Sequence, residues 1–87
     1  MGTLGNILTN LKQELYKKFG YNRICLQHAV NSDTVLYICI EHDSRSVMFG
    51  QVELTDNGWV LIGYDLEIFK FELDEYNKRK QGINTLV

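Results

Sequence analysis

Apolar positions recur along this chain with two different periods, and the point where the period changes divides it into elements. Between residues 3 and 19, Leu4, Ile7, Leu8, Leu11, Leu15 and Phe19 fall on one helical stripe, while Asn6, Asn10, Lys12, Glu14, Lys17 and Lys18 lie largely elsewhere. Thr3 is placed to cap the first turn, the lysines sit in the last turn where the helix dipole favours cations, and Gly20 stands just past the end. The pattern predicts an amphipathic helix over residues 3–19.

From residue 22 the period falls to two. Asn22–Val30 and Thr34–Glu41 are β-branched or apolar runs separated by Asn31-Ser32-Asp33, which predicts a hairpin. With that three-residue loop, cross-strand partners sum to 64. Ile24, Leu26, His28 and Val30 then share one face with Thr34, Leu36, Ile38 and Ile40, and that face is nearly all apolar. The opposite face carries Arg23, Cys25, Gln27 and Ala29 beside Val35, Tyr37, Cys39 and Glu41, with Arg23 set against Glu41 and Cys25 against Cys39.

A third strand is expected over Val47–Leu54, after a polar turn spanning His42 to Ser46. Asn57-Gly58 reads as a type I′ turn leading into a fourth strand, Trp59–Tyr64. Continuing the alternation puts Met48, Val52, Leu54, Trp59 and Leu61 toward the core and Val47, Phe49, Val60, Ile62 and Tyr64 on the other face. The last segment reads as a helix capped by Asp65, with a stripe of Leu66, Phe69, Leu73 and Tyr76 and acid-before-base pairs Asp74–Lys78 and Glu75–Arg79, stopped by Gly82. Ile68 and Phe71 lie off that stripe. Because Phe69, Phe71 and Leu73 also alternate, a fifth strand over Leu66–Leu73 is the competing assignment, and residues 83–87 receive none.

The expected architecture is therefore α+β, a single domain over residues 1–87, with a four-stranded antiparallel meander between an N-terminal and a C-terminal helix. Composition agrees. Eighty-seven residues, 45% of them hydrophobic and 23% charged, suffice for one core and not for two. The complete absence of proline favours short elements joined by tight turns. No apolar run approaches the roughly 20 residues of a membrane helix, and the first residues lack a secretory apolar region, so a soluble cytoplasmic protein is expected.

Chemistry enters through two near-repeats, Ile24-Cys25-Leu26-Gln27-His28 and Ile38-Cys39-Ile40-Glu41-His42. Each contains Cys-x2-His, a spacing used by zinc sites. In an extended strand, however, residues three apart point to opposite faces, so neither pair chelates one ion without a turn between them. No metal or cofactor is expected, and free thiols are expected in a reducing compartment. A Cys/His nucleophile would have to combine Cys25 or Cys39 with His42, and no third orienting group or oxyanion hole accompanies it. The chain is read as a non-enzyme, with such a small enzyme as an alternative.

Charge is segregated despite a net value of −2. From residue 41 to 75 there are nine acids and two bases, whereas bases gather at Lys12, Lys17, Lys18, Arg23 and Lys78–Lys80. A regulator of nucleic acid using those bases is a further alternative, but a pI of about 5.6 and no interleaved aromatics make direct nucleic-acid binding unexpected. Two helices on one sheet face would leave the second face open, and its apolar content is high for solvated surface. Val35, Tyr37, Phe49, Ile62 and Tyr64, with Glu53 and Asp56, are accordingly the expected partner-binding residues, for a second copy of the chain or a larger protein that it inhibits or regulates. In size, acidic-aromatic surface and lack of a catalytic constellation, the chain resembles phage and mobile-element inhibitors such as anti-CRISPR proteins, and bacterial immunity proteins. This resemblance is one of type and transfers no site.

Overall fold

A computed structural model describes the backbone of residues 3–85 and the side chains of residues 3–80. Helix α1, Leu4–Phe19, begins where the Thr3 hydroxyl accepts the Asn6 N–H at 3.2 Å. It ends at Gly20, whose left-handed backbone (φ 70°) lets its N–H close on the Tyr16 carbonyl at 2.9 Å. Four strands follow, β1 (Ile24–His28), β2 (Val35–His42), β3 (Arg45–Thr55) and β4 (Gly58–Tyr64), and then helix α2 (Leu66–Thr85). The strands form one antiparallel sheet in chain order, with β1 and β4 at its edges.

The first hairpin has the register expected from its pattern: Ile24 faces Ile40, Cys25 faces Cys39 and Leu26 faces Ile38. Arg23 and Glu41 pair at 3.9 Å across it. Asp65 caps α2, its carboxylate accepting the Glu67 N–H at 2.9 Å and the Ile68 N–H at 3.4 Å. The segment from Leu66 is thus helix and not a fifth strand. Gly82 does not stop it, since the helix continues to Thr85.

Beyond the first hairpin the strand faces depart from simple alternation, and three local features account for the departure. The β2–β3 connection is a two-residue turn, Asp43-Ser44, with positive φ at both residues (46° and 64°), and not a five-residue loop. This pairing sets Val47 opposite Ile40 on the core side and turns Met48 outward. A bulge follows, in which Phe49 is the extra residue between the Cys39–Met48 and Ile38–Gly50 pairs. One inserted residue reverses the parity of everything after it, so Phe49 and Val52 both reach the core. Leu54 and Trp59 are paired on that same side. A second bulge, with Ile62 extra between Leu61 and Gly63, returns Tyr64 to the core side.

The β3–β4 turn also differs from expectation. Positive φ falls on Gly58 alone (105°), with Asp56 and Asn57 as the loop, which is the pattern of a glycine bulge after a turn and not of a type I′ turn.

Both helices pack on one face of the sheet. Leu11 and Leu15 of α1 meet Phe69 and Leu73 of α2 over Ile38, Ile40, Phe49 and Val52. Phe69, fully buried, lies at the centre, its ring 5.0 Å from Phe49 and 5.3 Å from Phe19 between centroids. Aromatic pairs at such separations contribute about 0.5–1.5 kcal/mol each beyond their buried area. The bulge that brings Phe49 inward therefore completes the core. With one layer of helices on one sheet, the molecule measures 18 Å along its shortest axis.

Candidate functional site: the open face of the sheet

The face turned away from the helices carries no covering element among the described residues. Its β1–β2 half presents Cys25, Val35, Tyr37, Cys39 and Glu41, all at least partly shielded by their neighbours. Its β3–β4 half is more exposed: Met48 is 43% accessible, Val60 39% and Ile62 54%. Isolated exposed apolar side chains are ordinary; three on adjacent strands of one face make a patch.

The expected partner-binding residues divide accordingly. Val35, Tyr37, Ile62 and Glu53 lie on the open face, where Glu53 pairs in register with both Val35 and Val60. Asp56 sits in the exposed β3–β4 turn. Phe49 and Tyr64 do not belong to this face. Phe49 is 2% accessible within the core, and Tyr64 packs against it from the helix side, where its hydroxyl donates to Glu14 at 2.7 Å. That hydrogen bond, together with burial, raises the phenol above its ordinary pKa.

Met48 and Ile68 enter the site instead. With Ile62 they wall a pocket of about 280 Å³ that also touches Gln51 and Asp65. Gly50 and Gly63 lie in its lining, and a Cβ on Gly63 would meet nothing within 4 Å, so the absent side chain keeps the pocket open. Ile68 was detectable in the sequence as an apolar residue off the helix stripe. Met48 was hidden by the turn that reverses the strand's parity.

The alternative chemistries are spatially divided. His42 lies on the helix side, fully enclosed, while Cys25 and Cys39 lie on the open face. His42 Nε2 is 3.2 Å from Glu72 and Nδ1 is 3.2 Å from the Arg79 guanidinium. Because a guanidinium only donates, Nδ1 accepts, and the proton resides on Nε2, directed at Glu72. Arg45 reaches the same carboxylate at 3.6 Å, Arg79 also pairs with Asp43 at 3.8 Å, and Tyr76 stacks at 5.3 Å from the imidazole. Every group in this network is engaged with another, so it fastens α2 to the β2–β3 turn. No cysteine or hydroxyl stands in hydrogen-bond contact with His42 among the described residues.

Much of the basic charge is met locally as well. Lys18 pairs with Glu14, Arg23 with Glu41, Lys78 with Glu75, and Lys80 lies over the Tyr76 ring at 5.4 Å. Among the described residues no three His, Cys, Asp or Glu side chains are grouped to hold a metal ion, and no helix is long and apolar enough to cross a membrane. No protein-family model, curated protein or solved structure matches this chain.

Proposed function

We propose that this chain is a non-enzymatic protein-binding module, a stoichiometric inhibitor or regulator that engages its partner through the β3–β4 half of the open sheet face. The observation that carries the reading is the patch of Met48, Val60 and Ile62 beside the glycine-lined pocket, on a face that no element covers among the described residues. Fully burying an isoleucine contributes about 1.5–3 kcal/mol. With Ile62 about half exposed, a partner that covers it gains roughly 1 kcal/mol from this side chain alone.

Asp65 lines the pocket, Glu53 pairs in register with Val60 and Asp56 stands in the β3–β4 turn, and these acids favour a partner with a basic rim around an apolar knob. The same patch on a second copy of the chain is the other occupant the apolar content permits.

Light scattering across a concentration series, combined with capture by the tagged chain followed by identification and stoichiometry, tests the reading. A defined complex is expected, with itself or with a protein in fixed ratio, that Ile62→Asp weakens at least about tenfold, since a carboxylate must then be desolvated. The melting temperature should stay near that of the wild type. A strictly monomeric chain that captures nothing, or a complex indifferent to both Ile62→Asp and Met48→Lys, would overturn it.

A further inference from the structure

Cys25 and Cys39 are direct cross-strand partners on the open face, where Cys39 is paired on its other side with Met48 at the border of the patch assigned to the protein partner. Both thiols are free. The ladder fixes the kind of pair they form. The Glu41 N–H donates to the Arg23 carbonyl at 3.0 Å and the Ala29 N–H to the Val35 carbonyl at 3.2 Å. Hydrogen-bonded pairs recur every second residue along an antiparallel ladder, so Cys25 and Cys39 occupy a hydrogen-bonded pair, with Cα atoms about 5.5 Å apart.

That Cα spacing lies within the disulfide range, whereas cross-strand Cβ atoms stand at about 4.5–5.5 Å, the wider end belonging to hydrogen-bonded pairs, against the roughly 3.8 Å that a disulfide prefers. A bond here would be strained and easily reopened. The bulge in β3 lies opposite Cys39, at the point where the ladder already bends.

Access to the two sulfurs is unequal. Cys25 is partly exposed, on the edge strand, with its sulfur 3.5 Å from the Ser46 hydroxyl. Cys39 is 1% accessible. An incoming molecule meets Cys25 first, while Cys39 is shielded from direct attack.

We infer that Cys25 is a thiol-exchange site for low-molecular-weight disulfides, with Cys39 as its resolving partner, and that the product is a labile Cys25–Cys39 disulfide. In the first step the Cys25 thiolate, having released its proton to water, attacks one sulfur of the small disulfide. A mixed disulfide forms, and one small thiolate departs. In the second step Cys39, as thiolate, attacks the Cys25 sulfur, closes the protein disulfide and expels the second small thiolate. Two electrons pass from the protein thiols to the small disulfide, which leaves as two thiols after taking up two protons. In the dithiol state, burial and then the neighbouring Cys25 push the Cys39 thiol up to about 11, which disfavours Cys39 as the first attacking thiolate.

The folded full-length chain is treated with oxidised glutathione, remaining thiols are alkylated at timed intervals, and intact masses are recorded. Wild type should pass through a transient adduct of one glutathione and end two hydrogens lighter with no adduct, and excess reduced glutathione should restore both thiols. Cys39→Ser should stop at the one-glutathione adduct. Cys25→Ser should react at least about tenfold more slowly, because only the buried thiol remains. Circular dichroism verifies the fold of each variant, and Cys39→Ala serves if the serine does not fold. Wild type that keeps two alkylatable thiols, that ends as a stable glutathione adduct or as a disulfide between two chains, or a Cys25→Ser variant that reacts as fast as wild type, overturns the assignment.

Discussion

Adding one methyl group at Gly50 and, separately, at Gly63 should move stability in opposite directions. Gly50 pairs with Tyr64 and Gly63 with Gln51, two consecutive pairs on the same side of the second bulge. A Cβ built on Gly50 lies 2.8 Å from the Tyr64 Cβ and 2.9 Å from the Gly63 carbonyl oxygen. Both neighbours are held by the sheet, so the backbone itself has to give way, and overpacking of this kind costs about 1–3 kcal/mol. Replacing glycine by alanine also restricts the unfolded chain, which returns about 0.4–1 kcal/mol where the backbone is compatible. Gly50→Ala is therefore expected to lose roughly 1–2 kcal/mol, a fall in Tm of about 4–16 °C for a domain of this size. At Gly63 a Cβ meets nothing within 4 Å, and the backbone is outside the left-handed region. Only the unfolded-state gain remains, and Gly63→Ala should raise Tm by about 2–8 °C. Calorimetry or thermal circular dichroism at one protein concentration measures both. Equal stability of Gly50→Ala and wild type, or equal losses at the two positions, would refute the bulged register and with it the placement of Phe49 and Tyr64 in the core.

Other substitutions probe the remaining features. Phe49→Ala should cost about 3–5 kcal/mol in urea unfolding, the range for a buried aromatic, whereas Met48→Lys, its exposed neighbour on the opposite face, should stay within about 0.5 kcal/mol. Glu72→Ala leaves the His42 Nε2–H buried without an acceptor and should cost about 1–3 kcal/mol by the same measurement, with Glu72→Gln recovering much of it. Tyr21, chiefly through burial, and Tyr64, chiefly through its bond to Glu14, have phenols raised from 10.0, and Cys39 is raised from 9.0 to about 11. In each case the folded state holds its proton longer than the unfolded chain. The stability this confers is complete below about pH 9 and declines as pH rises through 9–11, and a Tyr64→Phe, Cys39→Ala double variant should show a shallower decline in urea titrations across that range.

How much of this was legible follows from what kind of interaction fixes each element. Helix α1 is specified locally, by Thr3, by its stripe and by Gly20, and a local reading recovers it. The first hairpin is specified by alternation on both strands, which only one register satisfies, so the Arg23–Glu41 and Cys25–Cys39 pairings were accessible in advance. The β2–β3 turn was not, because Asp43 and Ser44 adopt positive φ without glycine, at a cost that the surrounding network of Glu72, Arg79 and His42 offsets. Bulges are less legible still. Nothing in Met48-Phe49-Gly50 announces an inserted residue; what selects it is the tertiary space beside Phe69, which a phenylalanine fills. Simple alternation therefore fails only between one such feature and the next, which is why it puts Val52 and Ile62 on their observed faces but not Phe49 and Tyr64.

The same bulges determine which half of the open face is left for a partner. Had β3 and β4 alternated regularly from a five-residue turn, Phe49 and Tyr64 would have stood outside beside Ile62, a broad aromatic surface. The inserted residues draw both rings inward and leave Met48 and Ile62 at a shallow pocket with glycine in its lining, with Val60 exposed further along β4. Such a surface suits one inserted side chain better than flat stacking. Gly63→Leu discriminates the two modes, because Gly63 lines the pocket and a Cβ there meets nothing within 4 Å, with its melting temperature verifying the fold. It should abolish binding where a partner inserts a knob there. It should strengthen or leave unchanged an association that merely covers apolar area. Measured beside Ile62→Asp, which weakens both modes, an unaltered complex with Gly63→Leu would remove the pocket from the interface while leaving the exposed strip on β4 in it.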